Sequence, residues 1–146
     1  MKKVVCIFAL LLLLVTGQVA AQTATTRSSE DARLRYAAAQ HEIITILINE
    51  GQYDRVPAEF QKILDLRFGG AQEELVVKET WAIVNGLMAK RQFEPAHRVV
   101  DEALRYAVQS ESRFALIMLK GKIYKQEGRL KDALNAYRQA QQLQEK

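Results

Sequence analysis

Apolar residues recur at intervals of three and four along most of the chain, which is the spacing of one face of an α-helix. The pattern breaks where glycine, proline or capping residues stand, as at "NEGQYD" (49–54), "FGGAQ" (68–72) and "EGRL" (127–130). Almost none of the chain resembles a β-strand. The pattern therefore predicts an all-α fold with helices over residues 30–50, 54–68, 72–91, 94–108, 111–127 and 130–144.

Three of the predicted turns carry equivalent tripeptides, 40 and 37 residues apart: Gly51-Gln52-Tyr53, Arg91-Gln92-Phe93 and Gly128-Arg129-Leu130. A period in the thirties to forties that is built of paired helices is typical of a solenoid. We therefore expect three antiparallel helix pairs, over approximately 30–70, 71–108 and 110–146.

The best-defined repeat contains the stretch "GKIYKQEGRLKDALNAYRQA" (121–140). Gly121 and Ala133 are predicted to lie on facing helices, where small side chains let two backbones approach closely. Tyr124 and Tyr137 are expected to fill the space above and below them. This spacing thus indicates a packing pattern in which one hairpin presents an apolar face that it cannot bury alone.

This third repeat resembles the tetratricopeptide repeat family, which it matches at Gly121, Tyr124, Gly128, Leu130, Ala133, Tyr137 and Ala140. The second repeat keeps Leu87, Phe93, Ala96 and Ala103, but it has Val84 and Arg91 where small residues are usual. The first keeps Leu47, Gly51, Tyr53 and Phe60, with Val56 and Ile63 in place of alanines. The resemblance implies a short right-handed solenoid of three stacked helix pairs, whose first helices line a concave groove.

The amino-terminal segment has the three-part pattern of a secretory signal peptide. Lys2 and Lys3 precede the apolar run Val4–Val15, and small, weakly polar residues follow. We predict cleavage before Gln22, so that residues 1–21 are the signal peptide. The alternative is an uncleaved anchor, but twelve apolar residues fall short of the roughly 20 that a membrane-spanning helix needs.

Behind the signal, residues 22–29 are predicted to be a flexible linker with Ser28 or Ser29 as a helix cap, and residues 30–146 the helical domain. The protein is expected to cross the inner membrane to the periplasm or the medium, with no membrane span left after cleavage. The lone Cys6 lies in the signal, so the exported chain has no disulfide.

The charge balance offers no case for a nucleic-acid partner. Removing Lys2 and Lys3 from the 21 basic residues leaves 19, against 17 acidic ones. The charge is uneven, however, because residues 111–146 carry eight basic and four acidic side chains. The carboxy-terminal third is therefore the cationic end of the chain.

The sequence shows no catalytic or metal-binding constellation. His41 and His97 belong to different repeats, with no Cys, Asp or Glu at a ligand spacing. The adjacent carboxylates of Glu73 and Glu74 point about 100° apart on a helix and do not share a site. We therefore predict a protein that is not an enzyme and takes neither a cofactor nor a metal.

The resemblance implies which side chains line the groove: His41 and Thr45, then Lys78, Trp81, Asn85 and Met88, then Met118, Lys122 and Lys125. The second set is one helical stripe, separate from the stripe Val77, Thr80, Val84 and Leu87 that should face the partner helix. A tryptophan beside Met, Asn and Lys is typical of a peptide-binding strip. The alternative is that Trp81 packs against the long first helix.

Two functions follow from these patterns. The first is an exported interaction module, an adaptor, scaffold or assembly factor, that binds a peptide or protein segment in the groove. The second is a structural subunit that associates with itself or with another helical protein through its end helices. The last helix is mostly polar and resembles a solvated cap, whereas the apolar residues Ile43 to Ile48 give the first helix a possible docking flank. The oligomeric state and the identity of the partner stay open.

Exported protein should begin at Gln22, because cleavage follows the small residues Val19 and Ala21. Intact-mass measurement of the exported protein checks this expectation. A mass that includes residues 1–21, found in the membrane fraction, would contradict it.

Overall fold

The computed structural model describes residues 27–144, and this part of the chain is all-α, as the sequence predicts. No strand occurs within it. Short 3₁₀ turns, Tyr53–Arg55 and Gly70–Gln72, precede the second and third helices. The helices are α1 (27–49), α2 (Val56–Leu64), α3 (Glu73–Ala89), α4 (Phe93–Tyr106), α5 (Ser110–Glu127) and α6 (Leu130–Gln144).

The chain divides into two units, residues 1–36 and 37–146. The predicted signal peptide and residues 22–26 of the predicted linker lie outside the described residues. Residues 27–29 are helical and exposed, so the prediction of a linker that ends with a cap at Ser28 or Ser29 is wrong there. The physical reason is that serine costs only about 0.5 kcal/mol relative to alanine in a helix, which does not force a boundary.

The core of the second unit lies between successive helices. Helix α3 packs against α4 and α5, α4 packs against α2 and α5, and α5 packs against α6. Each of α4, α5 and α6 therefore lies beside the helix that precedes it, and α4 and α5 also lie beside the helix two places earlier. The stripe predicted to face inward on α3 is entirely buried: Val77, Thr80, Val84 and Leu87.

Three left-handed residues end the helices at the equivalent turns. Gly51, Arg91 and Gly128 have φ values of 78°, 58° and 85°. In each turn the next residue donates its N–H to the carbonyl five positions back, at 2.9 Å: Gln52 to Leu47, Gln92 to Leu87 and Arg129 to Tyr124. This is the Schellman arrangement, which satisfies helix-terminal carbonyls while it reverses the chain. The turns that the sequence aligns thus share one geometry, although only two of them have glycine.

Helix α2 is shorter than predicted, since it ends at Leu64 rather than near 68. The chain then makes two tight turns, and the backbone nitrogen of Arg67 donates to the carbonyl of Leu64 at 3.0 Å. The side chain of Phe68 is buried, and its carbonyl accepts a hydrogen bond from the Tyr106 hydroxyl at 2.5 Å. Burial, together with the charge of Glu73, raises the pKa of Tyr106.

The packing of the α5–α6 hairpin differs in detail from the expectation. Gly121 is buried directly under the ring of Tyr137, and a Cβ placed there would lie 2.7 Å from Cδ1 of that ring. The ring of Tyr124 instead contacts His97 of α4, with centroids 4.5 Å apart, and the guanidinium of Arg129 at 4.6 Å. Gly121 therefore makes room for one tyrosine, while the other tyrosine reaches the preceding pair.

Replacing Gly121 with alanine should lower the free energy of unfolding by about 1–3 kcal/mol, because the added methyl overlaps the Tyr137 ring. The measurement is chemical denaturation. Gly69→Ala is the control, since a Cβ at Gly69 meets nothing within 4 Å and the residue has a φ of −63°. Equal stability of both variants would contradict this packing.

Replacing Arg91 with glycine should stabilise the fold by about 1 kcal/mol, because an L-residue with a side chain is strained at a left-handed φ. Gly128→Ala is the reciprocal variant. It should destabilise by a similar amount for conformational reasons alone, since its Cβ would meet no atom within 4 Å. Thermal or denaturant unfolding measures the stability of both variants. A change in the free energy of unfolding with the same sign in both would exclude strain at the left-handed φ as the cause.

Candidate functional site

Helices α3 and α5 lie side by side and run in the same direction. Near their starts, Glu73 on α3 bonds the backbone just before α5, and near their ends Asn85 on α3 bonds Lys122 on α5. We call the surface between them the α3–α5 furrow. It is lined by Glu74, Val77, Trp81 and Asn85 from α3, by Glu111, Ser112, Ala115 and Lys122 from α5, and by Gln109 before α5.

A buried carboxylate holds the amino-terminal ends of the two helices together. One oxygen of Glu73 accepts hydrogen bonds from the backbone nitrogens of Val108 and Gln109, both at 3.0 Å. The side chain of Gln109 in turn donates to the carbonyl of Gly70 at 2.5 Å. These bonds satisfy a carboxylate that would be costly to bury alone, and they fix the start of α5 against the start of α3.

Three of the predicted groove residues meet at the other end of the furrow. The ammonium of Lys122 lies 5.0 Å from the centroid of the Trp81 ring and donates to Oδ1 of Asn85 at 2.9 Å. An ammonium has only donors, so the amide oxygen must face it and the amide NH₂ must point away. The exposed NH₂ of Asn85 has no protein acceptor among the described residues.

Trp81 is half-buried and packs against the core with one part of its ring. Lys122 lies over the ring in cation–π contact. The indole N–H of Trp81 donates to no protein group within the described residues. Since it is not among the buried atoms that lack a partner, it is accessible to solvent. Trp81 therefore has both a packing face and a polar edge available to a ligand.

The structure separates the remaining predicted residues from this cluster. Met88 is 5% exposed and belongs to the core, so it offers no surface to a partner. The reason is that Met88 follows Val84 and Leu87 onto the inward face of α3. Lys78 is exposed and pairs with Glu74 at 2.8 Å. Lys125 is exposed on the last turn of α5, three residues after Lys122, so it is outside the cluster but on the same side of α5, at the carboxy-terminal end of the furrow.

Met118 is half-buried against the small cluster of Ile117, Ala136 and Ala140, where α5 meets α6. His41 and Thr45 belong to a different cleft, between α1 and α3, of about 140 Å³. Nδ1 of His41 lies 2.7 Å from the Glu79 carboxylate, which ties α1 to α3. This cleft is narrow, because a Cβ on Gly86 would come within 3.3 Å of Ile48.

Sequence reasoning missed the cavity at the amino-terminal end of the furrow. It has a volume of about 420 Å³ and is lined by Glu74, Val77, Gln109, Glu111, Ser112 and Ala115. Bonding to the Lys78 ammonium lowers the pKa of Glu74, so that carboxyl stays anionic. The only signal in the sequence is that α3 and α5 each have acidic residues in the first turn.

Some of the other charged groups within residues 27–144 join different helices. Nε2 of His97 is 3.1 Å from the Glu127 carboxylate, which joins α4 to α5. No three His, Cys, Asp or Glu side chains in this part of the chain are grouped so that they could hold a metal ion. None of the described helices combines the length and apolar character that a membrane span requires.

The furrow thus has an apolar floor, an aromatic ring with a free N–H, and charged groups of opposite sign at its two ends. These features suit non-covalent binding of a polar chain. No protein-family model, curated protein or solved structure matches this sequence.

Proposed function

We infer that this protein is an exported, non-enzymatic interaction module that binds a peptide or protein segment in the α3–α5 furrow. The observation that carries the inference is the half-buried Trp81, whose ring has Lys122 over it and whose N–H is free. Tryptophan in such a setting is the residue type most often found to dominate binding energy at interfaces. Export rests on the amino-terminal signal pattern alone.

A tetratricopeptide-like solenoid is part of this proposal. Its support is the helix neighbours, in which α4 lies beside α2 and α5 beside α3, and the three equivalent left-handed turns. In such an arrangement the first helix of each pair contributes to one surface. The cleft between α1 and α3 and the furrow between α3 and α5 would then be adjacent parts of a concave face.

The second candidate function is a subunit that stacks through its end helices. It is favoured by large apolar side chains exposed on the first and last helices of the second unit. On α1, Ile43 and Ile46 are exposed, the latter at 53%, and on α6, Leu130 and Leu134 are exposed, the former at 66%. Each pair is spaced by three or four residues and so lies on one side of its helix. An apolar stripe of this kind is a possible docking flank.

The two functions differ in their dependence on Trp81. In the groove model Trp81→Ala should weaken partner binding by about 2 kcal/mol or more, on the order of thirtyfold. Its unfolding free energy should fall by less than the ~3–5 kcal/mol expected for a fully buried aromatic. Binding is measured by capture of envelope proteins on immobilised residues 22–146, followed by titration of the captured partner.

Phe93→Ala is the matched control, because Phe93 is also a half-buried aromatic that packs on the same core but lies outside the furrow. The Phe93→Ala variant should be less stable than the unaltered protein but should bind the partner with the same affinity. Full binding by Trp81→Ala, with a core-sized loss of stability, would exclude the groove model. Loss of association in Ile46→Glu and Leu134→Glu instead would support stacking.

A further inference from the structure

The α3–α5 furrow has opposite charges at its two ends. The amino-terminal end has the exposed carboxylates Glu74 and Glu111, and the carboxy-terminal end has the ammonium groups of Lys122 and Lys125. Acidic residues lie in the first turn of both helices, where they suit the helix dipole, and α5 also has the basic Lys125 in its last turn. Because α3 and α5 are parallel neighbours, their two acidic starts meet at one end of the furrow, while the positive charge at the other end comes from α5.

The acidic end is also a built cavity, not only a pair of surface charges. Val77 and Ala115 line it, and so does the hydroxyl-bearing side chain of Ser112. Ser112 is 6% exposed, and its hydroxyl is not among the buried unpaired atoms of the described residues, so it is accessible from the cavity that the residue lines. A hydroxyl can donate or accept a hydrogen bond, so it is a group to which a ligand in the cavity can bond.

The ion pair between Glu74 and Lys78 does not block this end. Both side chains are largely exposed, at 76% and 68%. Exposed pairs at a separation of four residues contribute little and rearrange readily when a competing cation arrives. Glu111 makes no ion pair among the described residues and supplies a second carboxylate at the same end.

The length of the furrow follows from helix geometry. Glu74 and Asn85 are eleven positions apart on α3, and Glu111 and Lys122 are eleven apart on α5. At a rise of about 1.5 Å per residue, the charged ends are roughly 16 Å apart. An extended chain covers that distance in about five residues, at about 3.3 Å each.

The polar groups of the furrow favour an extended occupant over a helical one. Lys122 and Asn85 bond each other across the furrow at 2.9 Å, so an occupant lies on top of this contact and meets the outward-facing donors. The free donors, the Asn85 amide and the Trp81 indole N–H, require acceptors. An extended backbone has free carbonyls, but a helix has already used its own.

We propose that the segment bound in the α3–α5 furrow is an extended peptide that places a cationic side chain in the Glu74–Glu111 cavity. About five residues away, it places an acidic side chain at Lys122 and Lys125. An apolar or small side chain between them lies beside the exposed edge of Trp81. This assignment rests on the proposed function, and it adds the charge pattern and the conformation of the ligand.

The chain has one tryptophan, so fluorescence that is excited selectively in tryptophan, and not in the five tyrosines, reports on the furrow alone. The probes are acetyl-Lys-Ala-Ala-Leu-Ala-Glu-amide and acetyl-Glu-Ala-Leu-Ala-Ala-Lys-amide, which present the charges in the two chain directions. The comparison peptide, acetyl-Ala-Ala-Lys-Glu-Leu-Ala-amide, has the same composition with adjacent charges. Each peptide is titrated into residues 22–146 at low salt. One of the two separated-charge peptides should bind about fivefold more tightly than the comparison peptide, as expected for two solvent-accessible ion pairs.

Matched variants locate the two ends. Glu74→Gln and Glu111→Gln should each reduce the affinity by about two- to threefold. Glu94→Gln should not, although Glu94 is an equally exposed carboxylate that is paired with a cation four residues on. Lys125→Gln should likewise weaken binding, whereas Lys131→Gln, an exposed lysine on α6, should not.

The outcomes separate this inference from the proposed function. Equal binding of all three peptides, with unchanged affinity in the Glu74 and Glu111 variants, overturns the charge pattern and leaves peptide binding at Trp81 in place. No change in Trp81 fluorescence with any peptide at millimolar concentration also overturns it, and capture of a partner then decides the proposed function independently. A fivefold preference that disappears in about 0.5 M salt and in both glutamate variants supports it.

Discussion

Reversal of the chain by a single left-handed residue is the constraint on which this architecture depends. Gly51, Arg91 and Gly128 each end a helix in that conformation, and the following N–H closes the same backbone hydrogen bond. In each of these three helix pairs the second helix therefore returns along the first, and the first helices α3 and α5 run parallel. Arg91 adopts the conformation without glycine's freedom, which indicates that the surrounding packing is strong enough to impose it.

Parallel placement of α3 and α5 has a consequence for electrostatics. Both helices have acidic residues in the first turn, and α5 has a basic residue in its last turn, whereas α3 has none there. Because the helices are parallel, their acidic starts meet at one end of the furrow, and the lysines of α5 make the other end positive. The buried carboxylate of Glu73 holds the two starts level by accepting the backbone N–H groups of Val108 and Gln109. A cavity and a charge pattern thus arise from interactions whose first role is to hold the fold together.

The Trp81 side chain combines a packing face with an exposed polar edge. Its ring contributes to the core, while the Lys122 ammonium and the Asn85 amide are arranged at its outer side. The two interpretations of Trp81 that the sequence left open, groove residue or packing residue, are therefore not exclusive. The group over the ring is the ammonium of Lys122 on α5, which also donates a hydrogen bond to Asn85.

The sequence by itself determined the helices, their turns and the inward stripe of α3, because spacing, glycines and capping are local properties. It also indicated that Trp81, Asn85 and Lys122 share a surface, through resemblance and not through measured distance. Only the tertiary structure decided that Met88 is in the core, that α2 ends early so that Phe68 is buried, and that Tyr137 rather than Tyr124 covers Gly121. The tertiary structure alone revealed the cavity lined by Glu74, Glu111 and Ser112. Glu74 precedes the other two residues by more than 35 positions, so no local pattern brings them together. Such features depend on how helices meet, and local periodicity sets which face is apolar but not which neighbour covers each side chain.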